Sequence, residues 1–447
     1  MNRKNVNKET LQSYISILSQ MINCRTVFKY DGSTQNEFDK LYHIIDENFP
    51  LIKQKMKRYT FGSGCFFYEI CGNEPHYTLC LMSHHDVVDA SEDDFHATIK
   101  DGALYGRGSI DTKTPLFSEL QAMEQLLQED YDFNHLRVFI GSSNNEEVCG
   151  DGMVEAVAYF KKENIHFDLV MDEGGAITTN MIPGYKGKSA MVAIHEKSRH
   201  MYQCTTKNNN KGHGGLSPDD DQPLLRLTSF INEVNNTKIY KNQFYPEVKA
   251  TFKNHASVCQ FPMNLIFKHL DLFSPIVKQI MTKIPPAKAM LNTSITFTSL
   301  FAGLKTDPQI RAKDACATMF IRCIREDDLN KGLRKIKEIA QKYDVDIHLV
   351  ERDYCKPSSF ETKEFALVKK ILNQNFPDVL VSPYLLTAGT DARRFSEIAT
   401  NILRFAPIDL DEKQFKSIHG DKEHIYIENI GQCVMFYYDL IKEIGGK

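Results

Sequence analysis

Eleven cysteines are present and none stands in a C-x-x-C pair. An odd count without that spacing supplies neither a disulfide frame nor a thiolate zinc site, so the thiols are expected to be reduced. Blocks of one charge sign are also missing: 54 basic side chains face 58 acidic ones, a balance of −4, scattered along the chain. Without a phosphate-backbone footprint, nucleic acid is not expected as a partner. No uncharged apolar run of about 18 residues occurs. The opening stretch MNRKNVNKETLQSYISILSQ lacks the apolar core of a secretory signal, so no membrane partner and a soluble, cytoplasmic protein are expected. With only 16 prolines and 24 glycines, no repeat and no low-complexity tract, collagen-like and tail-dominated architectures are excluded.

What remains is ordinary globular composition over 447 residues, 42% hydrophobic and 25% charged, enough for about three units of roughly 150 residues, or two with an insertion. Leu11, Tyr14, Ile15, Leu18, Met21 and Ile22 recur at helical spacing and predict an amphipathic helix over about 8–23. Apolar runs at 77–82, 136–141 and 167–171 alternate with helix-like segments around 115–129 and 152–163. That βαβ rhythm predicts an α/β domain with a mixed, mostly parallel sheet. It returns near the end in LVSPYLL, NILRFAP and a last helix around 428–444. Between the two blocks, strand-like runs with two interleaved helices suit a small α+β domain. The expected division is 1–189 and 356–447 for a split catalytic domain, with 190–355 inserted, and 240–290 as an added helical segment inside the insertion.

The chemistry-bearing residues fall just after the apolar runs. His84 and Asp86 follow YTLCLMS, Asp111 lies in LYGRGSID, Glu146 and Glu147 follow VFIGSSNN, Asp172 and Glu173 follow FDLVM, and His419 lies in SIHGDKEH. Loops leaving the carboxyl ends of strands converge on one edge of an open α/β sheet, where ligands bind. Two histidines with three carboxylates and no thiolate form a donor set for zinc, manganese or cobalt, and one bridging carboxylate would admit two ions. Two residues apart in an extended chain, His84 and Asp86 point the same way, so the carboxylate can orient a ligating imidazole. Glu146 and Glu147 would point oppositely, one towards metal and the other serving as a general base. Asp111 taken alone could equally cap the helix that begins near TKTPLF.

Taken together, the runs SHHDVV, LYGRGSIDTK, NNEEVCGDG, MDEGGA, GHGGLSP, AGTDARRF and HGDKE resemble, in order, the M20 family of metallopeptidases. The stretch from FPMNLIF to LNTS resembles its carboxypeptidase S branch, which includes N-acyl amino acid hydrolases. The resemblance implies a zinc-peptidase-like catalytic domain with two Zn2+ per chain, Co2+ or Mn2+ being alternatives. It also implies an inserted ferredoxin-like lid, through which a homodimer could form. By position, His84 and the acid of MDEGG, Glu173 rather than Asp172, would hold one ion. Glu147 and His419 would hold the other, with Asp111 between them. Asp86 would orient His84, and Glu146 would be general base and then general acid. His213 would stabilise the oxyanion, while Arg322, with Gly389 and Thr390, would receive the substrate carboxylate. Ser83 and Asn145 depart from the family pattern, and the lid run KTDPQIRAKD replaces its usual turn.

The implied reaction is hydrolysis of a short peptide or an N-acyl amino acid beside a free C-terminal carboxylate, using a water activated by two zinc ions. The alternatives are a catalytically silent relative that binds metal or peptide, and a deacetylase acting on a biosynthetic intermediate.

Overall fold

Alternation of apolar side chains sets the central strands. In Tyr77–Met82, Leu79 and Leu81 enter one apolar cluster while Cys80 and Met82 enter another; in Leu136–Ser142, Val138 and Ile140 oppose Phe139 in the same way. Strands apolar on both faces belong inside a sheet covered on both sides. The computed structural model, which describes residues 6–207, 222–303 and 312–446, places them so. Tyr77–Met82 lies parallel to both Leu136–Ser142 and Phe167–Asp172, and Phe167–Asp172 lies parallel to Ala399–Arg404. These are the middle of a mixed ten-stranded sheet. An antiparallel hairpin, Lys57–Phe61 and Cys65–Cys71, extends one side.

Helices cover the faces. Lys8–Ile22 starts at Asn7, whose side chain accepts the Thr10 amide at 2.9 Å, and buries Tyr14, Ile15, Leu18, Met21 and Ile22, the stripe its spacing predicts. It joins Lys113–Gln128, Lys363–Asn375 and Ile427–Gly445 in one cluster, and Gly152–Lys162 packs on the opposite face.

The strand Lys188–Glu196 stays in the large sheet, parallel to Val379–Leu386, so the expected boundary at 189/190 falls inside it. The next strand, Ser198–Lys207, belongs to a separate four-stranded antiparallel sheet. Its order is Ser294–Ala302, Asp314–Cys323, Ser198–Lys207, Asp346–Asp353. Helices Pro223–Asn236 and Glu326–Lys342 pack into this unit's core. Strand, helix, two strands, helix, strand in that order is the ferredoxin-like arrangement.

The segment 240–290 folds as four helices, Pro246–His255, Met263–Lys268, Leu270–Met281 and Pro285–Ala289. It lies within the insertion in chain order, yet it packs on the large sheet instead of the small one, burying Val248, Phe252, Leu270 and Val277 with Met191 and Leu385. The reason is an open edge. Among the described residues Val379–Leu386 has a strand neighbour on one side only, and Thr251 and Asn254 donate side-chain hydrogen bonds to the Pro383 and Val381 carbonyls at 2.7 and 3.0 Å, covering what would otherwise invite pairing.

Candidate metal centre

His84 leaves the end of Tyr77–Met82 and is buried beside His85. In extended chain the two rings diverge. His85 turns inward, with its ring nitrogens on the Ser142 hydroxyl at 2.7 Å and the Tyr42 hydroxyl at 3.1 Å. His84 turns to the sheet edge, its Nδ1 2.9 Å from the Asp86 carbonyl and 3.4 Å from the Asp86 carboxylate. Fixing Nδ1 leaves Nε2 free to ligate. Asp86 does more than orient this ring: its two carboxylate oxygens accept the amides of Glu146 and Glu147 at 3.1 and 3.0 Å. The buried aspartate thereby ties the loop after Leu136–Ser142 to the loop after Tyr77–Met82.

Asp111 does not cap the following helix. Thr112 occupies the cap position of Lys113–Gln128, and Asp111 points one oxygen at each imidazole, Oδ1 at 3.0 Å from His84 Nε2 and Oδ2 at 2.9 Å from His419 Nε2. Glu147 Oε1 lies 3.1 Å from the same His419 nitrogen. Glu146 and Glu173 line one cavity of about 310 Å³ with His84, Asp111, Glu147 and His419. The adjacent Asp172 is turned away, its carboxylate accepting the Glu173 and Ala392 amides at 2.9 and 2.8 Å.

The charges of this cluster are mutually dependent. Burial opposes a charged His84, but Asp111 and Asp86 outweigh it and raise its pKa well above the ordinary value. Hydrogen bonding to Asp111 and Glu147 raises His419 to about 10. Burial would raise Asp111, yet the two histidines draw it below the usual carboxylate range. Burial pushes Glu146 well up, with Asp391 adding to the effect and His84 opposing it. Burial, Asp172 and Asp111 raise Glu173 likewise. Ligand atoms of His84, Asp111 and Glu147 lie within 4.8 Å of one another, and imidazole nitrogens with carboxylate oxygens suit zinc, cobalt or manganese. The donor set fits a metal.

Other expected residues fall differently. Gly389 and Thr390 line the cavity, but the Thr390 amide and hydroxyl both donate to Glu196, at 3.2 and 2.8 Å, so these two Thr390 donors are not free for a substrate carboxylate. Arg322 is exposed on Asp314–Cys323 and has no ion pair among the described residues. Partial burial of its head group and the nearby Arg199 and Arg393 lower its pKa. It is not among the cavity-lining residues. His213 lies outside the described residues.

Two buried carboxylates that no local sequence pattern singles out complete the surroundings of the site. Glu423, in HGDKE, accepts the amides of Gly108, Ile110 and Asp111 and the Arg107 guanidinium. Glu196 joins Arg404, at 2.5 Å, and lies 3.7 Å from Arg393, which also pairs with Asp353; all four are buried. Only the long-range partner identifies either. The departures from the family pattern have local partners: Ser83 donates to Glu119 at 3.0 Å, and Asn145 to Asp151 at 3.3 Å.

The sequence profile of peptidase family M20/M25/M40 matches residues 80–443. The N-fatty-acyl-amino acid synthase/hydrolase PM20D1 of Homo sapiens is 28% identical over 447 residues, covering 97% of this chain and 87% of its own. A Dictyostelium discoideum protein described as probable carboxypeptidase S-like 2 is 27% identical over 421 residues, 91% of this chain and 79% of its own. In fold, the M20 family metallo-carboxypeptidase Sso-CP2 from Sulfolobus solfataricus superposes with a TM-score of 0.66 at 16% identity, covering 99% of this chain and all of that one.

Proposed function

The chain belongs to peptidase family M20/M25/M40 and is a metal-dependent hydrolase of amide bonds, and from that premise we propose that it cleaves N-acyl amino acids bearing an apolar acyl group. The observation that carries this reading is the composition of one cavity. The ionisable cluster shares it with Met181, Met191, Leu386, Ile408, Leu410 and Phe415, an apolar wall with a few polar groups of the kind that binds small amphiphiles. A free acidic side chain or a long polar peptide would find little to pair with along that wall. The PM20D1 relative, named for N-fatty-acyl amino acids, supports the same substrate class.

In this reading His84 and Glu173 would hold one zinc ion and Glu147 and His419 the other, with Asp111 shared between them, a role supported by its two oxygens facing the two imidazoles. Bound there, the pair would lower the pKa of water and polarise the scissile carbonyl. Glu146 takes a proton from the attacking water and delivers it to the leaving nitrogen, so that water plus amide become a carboxylic acid and a free amino acid. Its raised pKa suits a group that must both accept and return a proton. Asp86 keeps Glu146 in place through its amide. Because Thr390 is committed to Glu196, the substrate carboxylate is left to the Gly389 backbone on the cavity wall and, from outside that wall, to Arg322, which lies near enough to Arg393 and Glu196 to feel their charge; a guanidinium fork pairs with a carboxylate bidentately. His213 keeps the oxyanion role its motif implies.

The test uses chelator-stripped protein reloaded with zinc, cobalt or manganese and offered N-acyl amino acids of increasing acyl length beside dipeptides. Metal-dependent release of free amino acid, rising with acyl length, is expected by mass spectrometry. Preference for dipeptides would replace the substrate assignment with a dipeptidase or carboxypeptidase, and no product with metal bound would leave a binding protein.

A further inference from the structure

The helix Leu270–Met281 has two apolar stripes. Leu270, Val277 and Met281 are buried against the large sheet's helical cover. Beside them Leu272, Ile276 and Ile280 are 76%, 59% and 56% exposed; Ile284, past the helix end at Met281, is 50% exposed. Steps of four residues keep successive helical side chains on one face. Phe261 and Leu265, just upstream, are exposed as well. Single exposed leucines are ordinary on a protein surface, but a run of large apolar side chains in register marks an interaction face.

Charge identifies what covers it. Between residues 238 and 290 stand eight lysines against only Glu247 and Asp271, a local balance of +6 in a chain of −4, so the remainder carries −10. Asp271 is already neutralised by Lys249 and Lys253 at 2.6 and 3.2 Å. Lys268, Lys278, Lys283 and Lys288 have no ion pair among the described residues. Lys268 ends the preceding short helix and Lys288 lies in the following one, Pro285–Ala289, so lysines flank the apolar stripe in sequence on both sides. A second copy of this chain is a poor occupant, because a two-fold contact would bring these lysines onto their like.

We propose that this face docks on an anionic lipid surface, its apolar stripe entering the acyl boundary and its lysines meeting the headgroups. No described helix is long and apolar enough to cross a membrane; the contact is interfacial. The docking rests on surface geometry and charge alone. Joined to the proposed function, it acquires a purpose: Met191 and Tyr384 belong both to the packing under these helices and to the cavity wall, so the docked face lies one layer from the cavity, and substrates with apolar acyl groups concentrate in the lipid phase.

Sedimentation of the full chain with phosphatidylcholine vesicles, with and without phosphatidylserine, tests the proposal. Binding is expected to require phosphatidylserine and to weaken as salt screens the lysines. Replacing Leu272 and Ile276 together by Asp, or Lys278 and Lys283 together by Glu, should lower vesicle partitioning about tenfold or more. Thermal unfolding and hydrolysis of a short, soluble N-acyl amino acid should stay at parent values, since none of these residues lines the cavity. Vesicle partitioning needs no turnover, so inactive protein that still binds would overturn the substrate assignment and leave docking intact. Equal partitioning of parent and variants, no binding to either vesicle, or a parent dimer that the Asp variant converts to monomer would overturn docking.

Discussion

Glu423 holds Asp111 through the backbone: its Oε1 accepts the Asp111 amide at 3.0 Å and the Ile110 amide at 2.7 Å. Its Oε2 accepts the Gly108 amide at 3.1 Å and the Arg107 guanidinium at 2.7 Å. Glu423 also stands four residues after His419 in sequence. One buried carboxylate therefore joins the two loops whose side chains must converge, and the Asp111–His419 contact at 2.9 Å depends on a residue that touches neither side chain.

Exchange of Glu423 for Ala should consequently be severe. It leaves Arg107 as a buried cation without its partner and three amides without an acceptor, a change that costs about 3–5 kcal/mol. Chemical denaturation should register that loss, and metal content should fall with it. Glu423→Gln, which keeps the shape and one acceptor, should fall between parent and Ala. Stability unchanged in the Ala variant would remove the residue from this positioning role.

Glu146 makes the opposite prediction, since it lines the cavity without holding the loops together. Glu146→Gln should lower kcat by about 10²–10⁴ while metal content, measured by elemental analysis, stays at the parent level. Turnover near the parent value would eliminate it as the proton carrier. Asp86→Asn is the informative neighbour: it disturbs His84 and both glutamate amides, so both turnover and metal content should drop.

Metal uptake should release protons. His419, raised to about 10 by Asp111 and Glu147, is protonated at pH 7 in the metal-free protein, and His84 is raised as well; ligation requires both rings neutral. Raised imidazoles stabilise the metal-free fold fully below their unfolded value of about 6.5. That contribution is lost as pH climbs through the folded value. Metal affinity should therefore strengthen from pH 6 towards 10. Calorimetry in buffers of different ionisation heat should find protons released on metal uptake at pH 7, and an affinity independent of pH would refute the assignment of these rings as ligands.

The parts of this molecule that sequence made visible are those set by local pattern. Strand and helix positions follow from apolar periodicity, and Leu79 against Cys80 shows why: side-chain direction repeats with the backbone, whatever the rest of the chain does. The cluster of His84, Asp111, Glu146, Glu147 and His419 was legible because each residue follows a strand or stands in a dense polar motif. Asp172 and Glu173, being adjacent, were separable only once Asp172 was seen accepting two amides. The resemblance gives Thr390 to the substrate, but its acceptor, Glu196, stands far away in sequence. Absence of a long apolar run argued against a membrane, and that criterion detects spanning helices only. The stripe of Leu272, Ile276 and Ile280 looks like any core-facing pattern until the structure shows which of two neighbouring stripes is buried.

Arg322 offers the sharpest division between binding and chemistry. It is unpaired among the described residues and exposed on the small sheet, its pKa lowered by partial burial of the head group and by Arg199 and Arg393, so the surrounding field is already positive where a carboxylate would arrive. Such a field costs the free protein stability and is relieved when an anion binds. Arg322→Ala should therefore raise KM for carboxylate-bearing substrates by about tenfold or more, with a smaller change in kcat, and should leave thermal stability at or above the parent value. Arg322→Lys keeps the charge but loses the bidentate fork and should recover only part of the affinity. The discriminating substrate is an N-acyl amino acid amide, which lacks the carboxylate: its kcat/KM should be nearly the same for parent and Ala variant. An equal loss on acid and amide would mean that Arg322 acts on the fold instead of the substrate.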